Sequence, residues 1–146
     1  MNQKEMKNEI LKLREKRAEN NLAMVEIDIE INERKSRLNE MVVNRYNELK
    51  RDYFKKVADL KVASVQEIRK MASKNKIELG ESAEELKLKI RHKLLDNIEK
   101  DLLDFKKTKE KDLGIDALSK KKNDRMQVSS NLTGRIIDLN KNDLEL

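Results

Sequence analysis

Residues 82–113, SAEELKLKIRHKLLDNIEKDLLDFKKTKEKDL, decide the fold, because an apolar side chain recurs there at every fourth position. Residues four apart lie on one face of an α-helix, so the row predicts an amphipathic helix. Three more leucines widen the apolar face beyond the two positions per heptad that one coiled-coil seam needs. The helix is therefore predicted to contact two neighbouring helices. The row is Leu86, Ile90, Leu94, Ile98 and Leu102, and the flanking leucines are Leu88, Leu95 and Leu103.

The composition of the chain indicates paired helices rather than a compact globule. Of the 146 residues, 42% are charged and 3% are aromatic, and the chain has three glycines and no proline. Apolar residues arranged as stripes are buried when one helix packs on another. The expected fold is therefore all-α and elongated, an antiparallel helical hairpin or coiled coil whose stability comes from pairing within or between chains.

Charge and cysteine content limit the cellular setting. The net charge of +6 is a small difference between 34 basic and 28 acidic residues that are interleaved along the chain, as on solvated helix faces. Without cysteine, neither a disulfide framework nor a thiolate metal site can form. The start of the chain does not resemble a signal peptide, and no apolar run is long enough for a membrane span. An intracellular protein, cytoplasmic or nuclear and not secreted, is expected.

Residues 1–41 are predicted to form one long helix with a candidate bend. A heptad that starts at Ile10 has seven apolar residues among ten core positions. Its polar members are Arg17, Asn20 and Arg34, which either set register or contact a partner, or simply make the seam imperfect. The a positions are Ile10, Arg17, Met24, Ile31 and Leu38, and the d positions are Leu13, Asn20, Ile27, Arg34 and Met41.

One stretch of this helix also carries a strand signature. Between Val25 and Ile31, β-branched and acidic residues alternate with period two, which is typical of a strand. No turn residue bounds the stretch, and Ile27 and Ile31 fit the helical seam, so a helix is favoured. Val25 and Ile29 then lie off the seam and predict a second contact face.

Residues 42–113 are predicted to form the antiparallel hairpin. Gly80 can adopt the left-handed conformation that ends a helix, and Ser82 with Glu85 forms a capping box that starts the next one. The turn is therefore placed at 79–82. Gly114 predicts the end of the second helix, with Ile115 making the hydrophobic cap contact.

Residues 114–146 are expected to be a loosely ordered basic tail. The polar residues 129–131 and Gly134 indicate a linker, and the following apolar segment, Ile136–Leu139, is predicted to dock on a partner or to be a loose end.

The sequence offers few residues for catalysis. A single histidine, His92, is most simply a surface residue, and a zinc site would need several His or Cys ligands. Neither a phosphate-binding glycine loop nor a nucleophile elbow occurs in the sequence. The protein is therefore expected not to be an enzyme, and no cofactor, metal or small-molecule substrate is predicted.

Nucleic-acid binding is the alternative function. Residues 41–81 carry the excess of basic side chains, and a lysine run follows at 120–122. Acidic residues interrupt these stretches, and the aromatic side chains lie on or near the seams, where a core role is expected. The candidate contacts are Lys50, Arg51, Lys55, Lys56, Lys120, Lys121 and Lys122.

The order of features from Leu95 through Ile98, Leu102 and Phe105 to the lysine run and the apolar segment resembles a known family. This family includes the breast-cancer metastasis suppressor and the suppressor-of-defective-silencing subunit of Sin3 histone deacetylase complexes. Tyr46 and Tyr53 in the preceding helix add to the resemblance to this family. The resemblance covers about residues 40–140, and it implies a nuclear, non-catalytic helical scaffold that dimerises and holds a corepressor complex together.

The favoured function is a non-catalytic coiled-coil scaffold or adaptor that self-associates or joins a hetero-complex, without contact to a membrane. Its seams are the expected interface. The predicted interface residues are Ile27, Ile31, Leu38, Leu49, Tyr53 and Leu60, packed against Leu88, Leu95, Ile98, Leu102 and Phe105.

Overall fold

The chain is all-α in the residues that its structure, a computed structural model, describes: the backbone of 2–80 and 82–145 and the side chains up to 141. Glu81, inside the predicted turn, and Leu146, at the end of the predicted tail, lie outside the described residues. The helices are α1 (Gln3–Val62), α2 (Val65–Lys74), α3 (Ala83–Asp112) and α4 (Ile115–Glu145). The strand-like stretch Val25–Ile31 lies within α1, so its helical interpretation is confirmed.

The chain divides into two compact units. Unit 1 comprises residues 1–36 and 110–146, and unit 2 comprises residues 37–109. The division differs from the predicted boundaries after residues 41 and 113, because the last helix packs on the beginning of α1. The last segment of the chain therefore belongs to the same unit as the first.

Unit 1 consists of the first half of α1 and the helix α4, with the last residues of α3. Its core is the cluster of Ile10, Leu13 and Ile136, against which Leu132 and Leu139 pack. Cross-helix contacts pair rising numbers on α1 with falling numbers on α4, so these two helices run antiparallel. The contacts are Glu9 with Arg135, Arg17 with Thr133, Asn20 with Ser129 and Asp28 with Lys122.

The expected loosely ordered tail is instead a helix. Residues 115–145 form α4, whose side chains Ile115, Leu118 and Ile136 are buried. The buried residues of this segment are far apart in sequence, but their spacing places them on one face of a helix. Burial of that face against α1 stabilises the helix, although the polar residues and Gly134 indicate a linker. The predicted docking segment 136–139 is thus partly used inside unit 1, although Ile137 stays exposed.

Unit 2 packs the second half of α1 against α2 and α3. Leu60, Ile68, Ala72, Leu86 and Ile90, together with Leu94, form its buried cluster. At its other end, Arg45 of α1 contacts Asp101 of α3. Leu60 therefore packs near residues 86–94 of α3, whereas Arg45, which comes earlier in α1, contacts Asp101, which comes later in α3. The two helices thus run antiparallel here.

The connection between these helices differs from the predicted turn. Instead of continuing to residue 79, α1 ends at Val62, and α2 begins after Ser64, whose hydroxyl accepts a hydrogen bond from the Glu67 backbone N–H at 3.2 Å. After α2, the left-handed residue is Lys76 (φ 59°) and not Gly80. The predicted cap of α3 is confirmed, since the Ser82 hydroxyl accepts from the Glu85 N–H at 3.4 Å.

The predicted end of the second helix is also confirmed. Gly114 has a φ of 65°, and its N–H donates to the Lys111 carbonyl at 3.1 Å. The following Ile115 is buried, as the hydrophobic cap contact requires. Arg34 closes the helix end, because its Nη1 donates to the Leu113 carbonyl at 2.7 Å.

Candidate interaction surfaces

The heptad seam of α1 is the inner face of that helix. All ten core positions predicted from Ile10 to Met41 are buried or half-buried. The fully buried members are Ile10, Leu13, Asn20, Ile31 and Leu38.

The three polar residues of this seam each bind a defined partner in unit 1. The Asn20 side chain is 5% exposed, and its Nδ2 donates to the Arg125 carbonyl at 2.7 Å and to the Ser129 hydroxyl at 3.2 Å. Arg17 donates to the Thr133 hydroxyl at 3.3 Å, and Arg34 caps α3 as described above. A shift of one helical turn would break these bonds, which favours the register-setting interpretation of the polar seam positions.

The predicted interface residues are divided between the two units. Ile27 and Ile31 belong to unit 1, whereas the other nine belong to unit 2. Leu38 and Leu60 are buried, and the half-buried members are Leu49, Tyr53, Ile98, Leu102 and Phe105.

Leu88 and Leu95 were predicted to lie in the seam but are 50% and 46% exposed. The buried row of α3 is Leu86, Ile90 and Leu94. At about 100° per residue, Leu88 and Leu95 lie roughly a third of a turn around the helix from Leu94. Within the described chain these two leucines are therefore outside the buried row, and they lie on the flank of α3 with the exposed Leu103.

A second apolar stripe lies on the outer face of α1 in unit 1. Ala18, Leu22, Val25 and Ile29 are spaced four, three and four residues apart, and all four are exposed. Leu11 extends the stripe by one heptad. Val25 and Ile29, where a second contact face is expected, thus belong to an exposed stripe that the described residues leave uncovered. Contact through this stripe stays a prediction.

Arg45 links α1 to α3 through paired hydrogen bonds. Its Nε and Nη2 donate to the two carboxylate oxygens of Asp101 at 3.0 and 2.9 Å, and its guanidinium carbon lies 5.8 Å from the Phe105 ring centre. The hydrogen bond from Arg45 lowers the pKa of Asp101 from its ordinary value, and the same bond raises the pKa of Arg45. Both groups are therefore held in their charged forms, and the pair fixes the α1–α3 register at this end.

The predicted nucleic-acid contacts are divided between the two units. Lys50, Arg51 and Lys55 are exposed on one side of α1 in unit 2, whereas Lys56 lines a groove with Tyr53 and Leu94.

The lysine run 120–122 belongs to unit 1. The ammonium of Lys122 is paired with Asp28 at 2.7 Å, and Lys121 lines a groove of about 480 Å³ with Ile27 and Leu118.

The sequence interpretation missed two exposed aromatic residues. Tyr46 and Phe54 were expected near the seam, yet they are 44% and 56% exposed. Lys50 lies between them, with its ammonium 5.9 Å from each ring centre. Periodicity gave little signal for Tyr46, which lies two heptads before the buried Leu60, whereas Phe54 lies about 120° around the helix from Leu60.

Other candidate sites are sparse in the part of the chain that the structure describes. His92 is exposed on α3. Among the described residues, no group of three or more His, Asp or Glu side chains is placed to hold a metal ion, and none of the described helices is both long and apolar enough to cross a membrane.

Comparison with protein-family models, with curated proteins and with solved structures found no match to this chain.

Proposed function

We propose that the protein is a non-catalytic, intracellular scaffold whose paired helices are coiled-coil seams and whose outer α1 stripe self-associates to assemble a larger complex. The observation that carries the proposal is the exposed row of Ala18, Leu22, Val25 and Ile29. Its three-and-four spacing is that of a coiled-coil seam, although it lies on the side of α1 that does not pair with α4. A helix with a second seam has room for one more helix.

The expected occupant of the stripe is the same stripe of a second copy. Larger side chains, Leu22 and Ile29, alternate along it with the smaller Ala18 and Val25. Two such rows can interdigitate, since large residues of one row fit opposite small residues of the other. An isologous pair of this kind is also the commonest form of soluble oligomer.

Light scattering after size-exclusion chromatography tests self-association over a hundredfold concentration range. The wild-type chain should be dimeric at the higher concentrations, and the double variant Leu22→Asp/Ile29→Asp should be monomeric with unchanged helicity. The matched control is Val62→Asp, because Val62 is 86% exposed and lies off the stripe. A wild-type chain that stays monomeric throughout, or a double variant that still dimerises, would refute the proposed partner.

The resemblance to coiled-coil subunits of Sin3 histone deacetylase complexes suggests one complex that such a scaffold would join. Direct binding of the purified chain to a purified Sin3 complex, measured by interferometry, tests this assignment. The Leu22→Asp/Ile29→Asp variant distinguishes binding through the stripe from binding elsewhere. Failure to bind would remove the corepressor assignment and leave self-association to be judged by light scattering.

A further inference from the structure

We propose that the exposed side of α1 between residues 43 and 62 binds single-stranded nucleic acid. Bases stack on Tyr46 and Phe54, and phosphates contact the basic side chains around these rings. This activity is separate from self-association, because the proposed dimer stripe belongs to unit 1 and this side of α1 belongs to unit 2.

The two rings form the stacking part of the site. The chain has only four Tyr and Phe residues, and two of them are exposed on this one side of α1. Tyr46 and Phe54 are eight residues apart, which is about 12 Å along the helix axis. Exposed rings of this kind accept bases of any sequence, since every base has a flat π-face.

The charge around the rings suits a polyanion. An arc of roughly 180° that includes both rings contains four basic residues and no acidic residue between positions 43 and 62, all of which the structure describes. The three acidic residues of the stretch lie outside this arc. A Glu48 carboxylate oxygen is 3.6 Å from Arg45 Nη1, Asp52 lines the groove with Leu94, and Asp59 lies about 40° beyond the edge of the arc. The basic residues of the arc are Lys50, Arg51, Lys55 and Lys61.

Lys50 joins the two parts of the site. Its ammonium lies within cation–π range of both rings, at 5.9 Å from each ring centre. The rings therefore hold a positive charge midway between two stacking positions, where the backbone of a bound strand would pass. The run of 120–122 is not part of this site, because it lies in unit 1 and Lys122 is already paired with Asp28.

The exposed rings and the basic side chains together favour single-stranded nucleic acid over other anionic partners. Bases in a duplex are stacked on each other and cannot lie on protein rings, whereas unpaired bases can. An acidic protein or an anionic membrane would use the charges and would also bury the rings, but neither needs two flat faces about 12 Å apart with a cation between them.

Fluorescence anisotropy of the full chain with labelled oligo-dT, oligo-U and a DNA duplex of equal length tests the site. Either single strand should bind more tightly than the duplex, and comparison of the two distinguishes DNA from RNA. With four phosphate contacts, the slope of log affinity against log salt should be about −3. Tyr46→Leu and Phe54→Leu keep an apolar side chain but remove the π-face, and each should weaken single-strand binding about tenfold.

The matched charge control is Lys56, which lies off the arc. Lys50→Gln should reduce the salt slope by about 0.7, whereas Lys56→Gln should leave it unchanged. In a Tyr53→Phe background, where Tyr46 is the remaining tyrosine, its fluorescence should be quenched on binding. Equal affinity for duplex and single strand, unchanged affinity in both leucine variants, or binding to phosphatidylserine vesicles but not to oligonucleotides would each overturn the proposal. Circular dichroism verifies that each variant keeps the wild-type helicity.

Discussion

At the scale of single residues, Asn20 shows what a polar side chain does in an apolar seam. It is buried between α1 and α4, yet its amide binds the Arg125 carbonyl and the Ser129 hydroxyl, and its Oδ1 accepts from the Arg125 guanidinium at 3.3 Å. A buried amide is stable only where such partners exist. Asn20 therefore selects one alignment of α4 against α1.

Replacing Asn20 by alanine should lower the free energy of unfolding by about 1–2 kcal/mol, because its cross-helix hydrogen bonds are lost. The control is Asn32→Ala on the exposed side of the same helix, which shares the gain in helix propensity but has no buried seam position. Urea unfolding followed by circular dichroism measures both variants. Equal stabilities would show that the seam does not depend on Asn20.

At the scale of elements, the helix ends decide how the helices are arranged. Ser64 starts α2 and so interrupts the helical arm whose end the sequence places near residue 79, although the Ser64–Glu67 spacing is itself a capping-box pattern. Gly114 ends α3 and reverses the chain into α4. A Cβ at position 114 would lie 3.2 Å from Arg34 Nη1, the group that caps the Leu113 carbonyl.

Two glycine substitutions should therefore have opposite effects. Gly114→Ala should destabilise the protein by about 1–2 kcal/mol, because alanine is strained at positive φ and would displace Arg34. Gly134→Ala should stabilise it by up to about 1 kcal/mol, because Gly134 lies inside α4 and nothing lies within 4 Å of its would-be Cβ. Thermal unfolding of both variants gives the sign of each change in melting temperature. Two changes of the same sign would contradict the expected opposite effects.

At the scale of the whole molecule, two separate clusters stabilise the described chain. Leu13 belongs to the cluster of unit 1 and Leu60 to that of unit 2, and both are almost completely buried. The single helix α1 supplies both residues. Each unit nevertheless has its own apolar core, and the packing in that core determines how easily its helices open.

Leu13→Ala and Leu60→Ala should each lower the free energy of unfolding by about 2–4 kcal/mol through loss of packing. Hydrogen exchange followed by mass spectrometry should show faster exchange mainly in α4 for Leu13→Ala, and mainly in α2 and α3 for Leu60→Ala. The exposed Leu103→Ala serves as the control and should change little. Identical exchange patterns in both variants would mean that the two clusters open as one.

The sequence by itself determined the all-α class, the buried face of α1, the cap at Ser82 and the stop at Gly114. Each of these depends on local physics: 3.6-residue periodicity, the hydrogen bond of a capping side chain, or the freedom of glycine at positive φ. Local signals of this kind are readable from neighbouring residues, which is why they agree with the structure.

Only the tertiary structure decided which stripes pair. Two overlapping apolar rows on α3 could each have formed a seam, and packing buried Leu86, Ile90 and Leu94 while it left Leu88 and Leu95 exposed. Tertiary packing also decided that residues 115–145 are helical, because burial of Ile136 against Ile10 and Leu13 stabilises that helix. The exposure of Tyr46 and Phe54 followed from this choice, because the direction of a face is fixed by residues far away in sequence and not by its own periodicity.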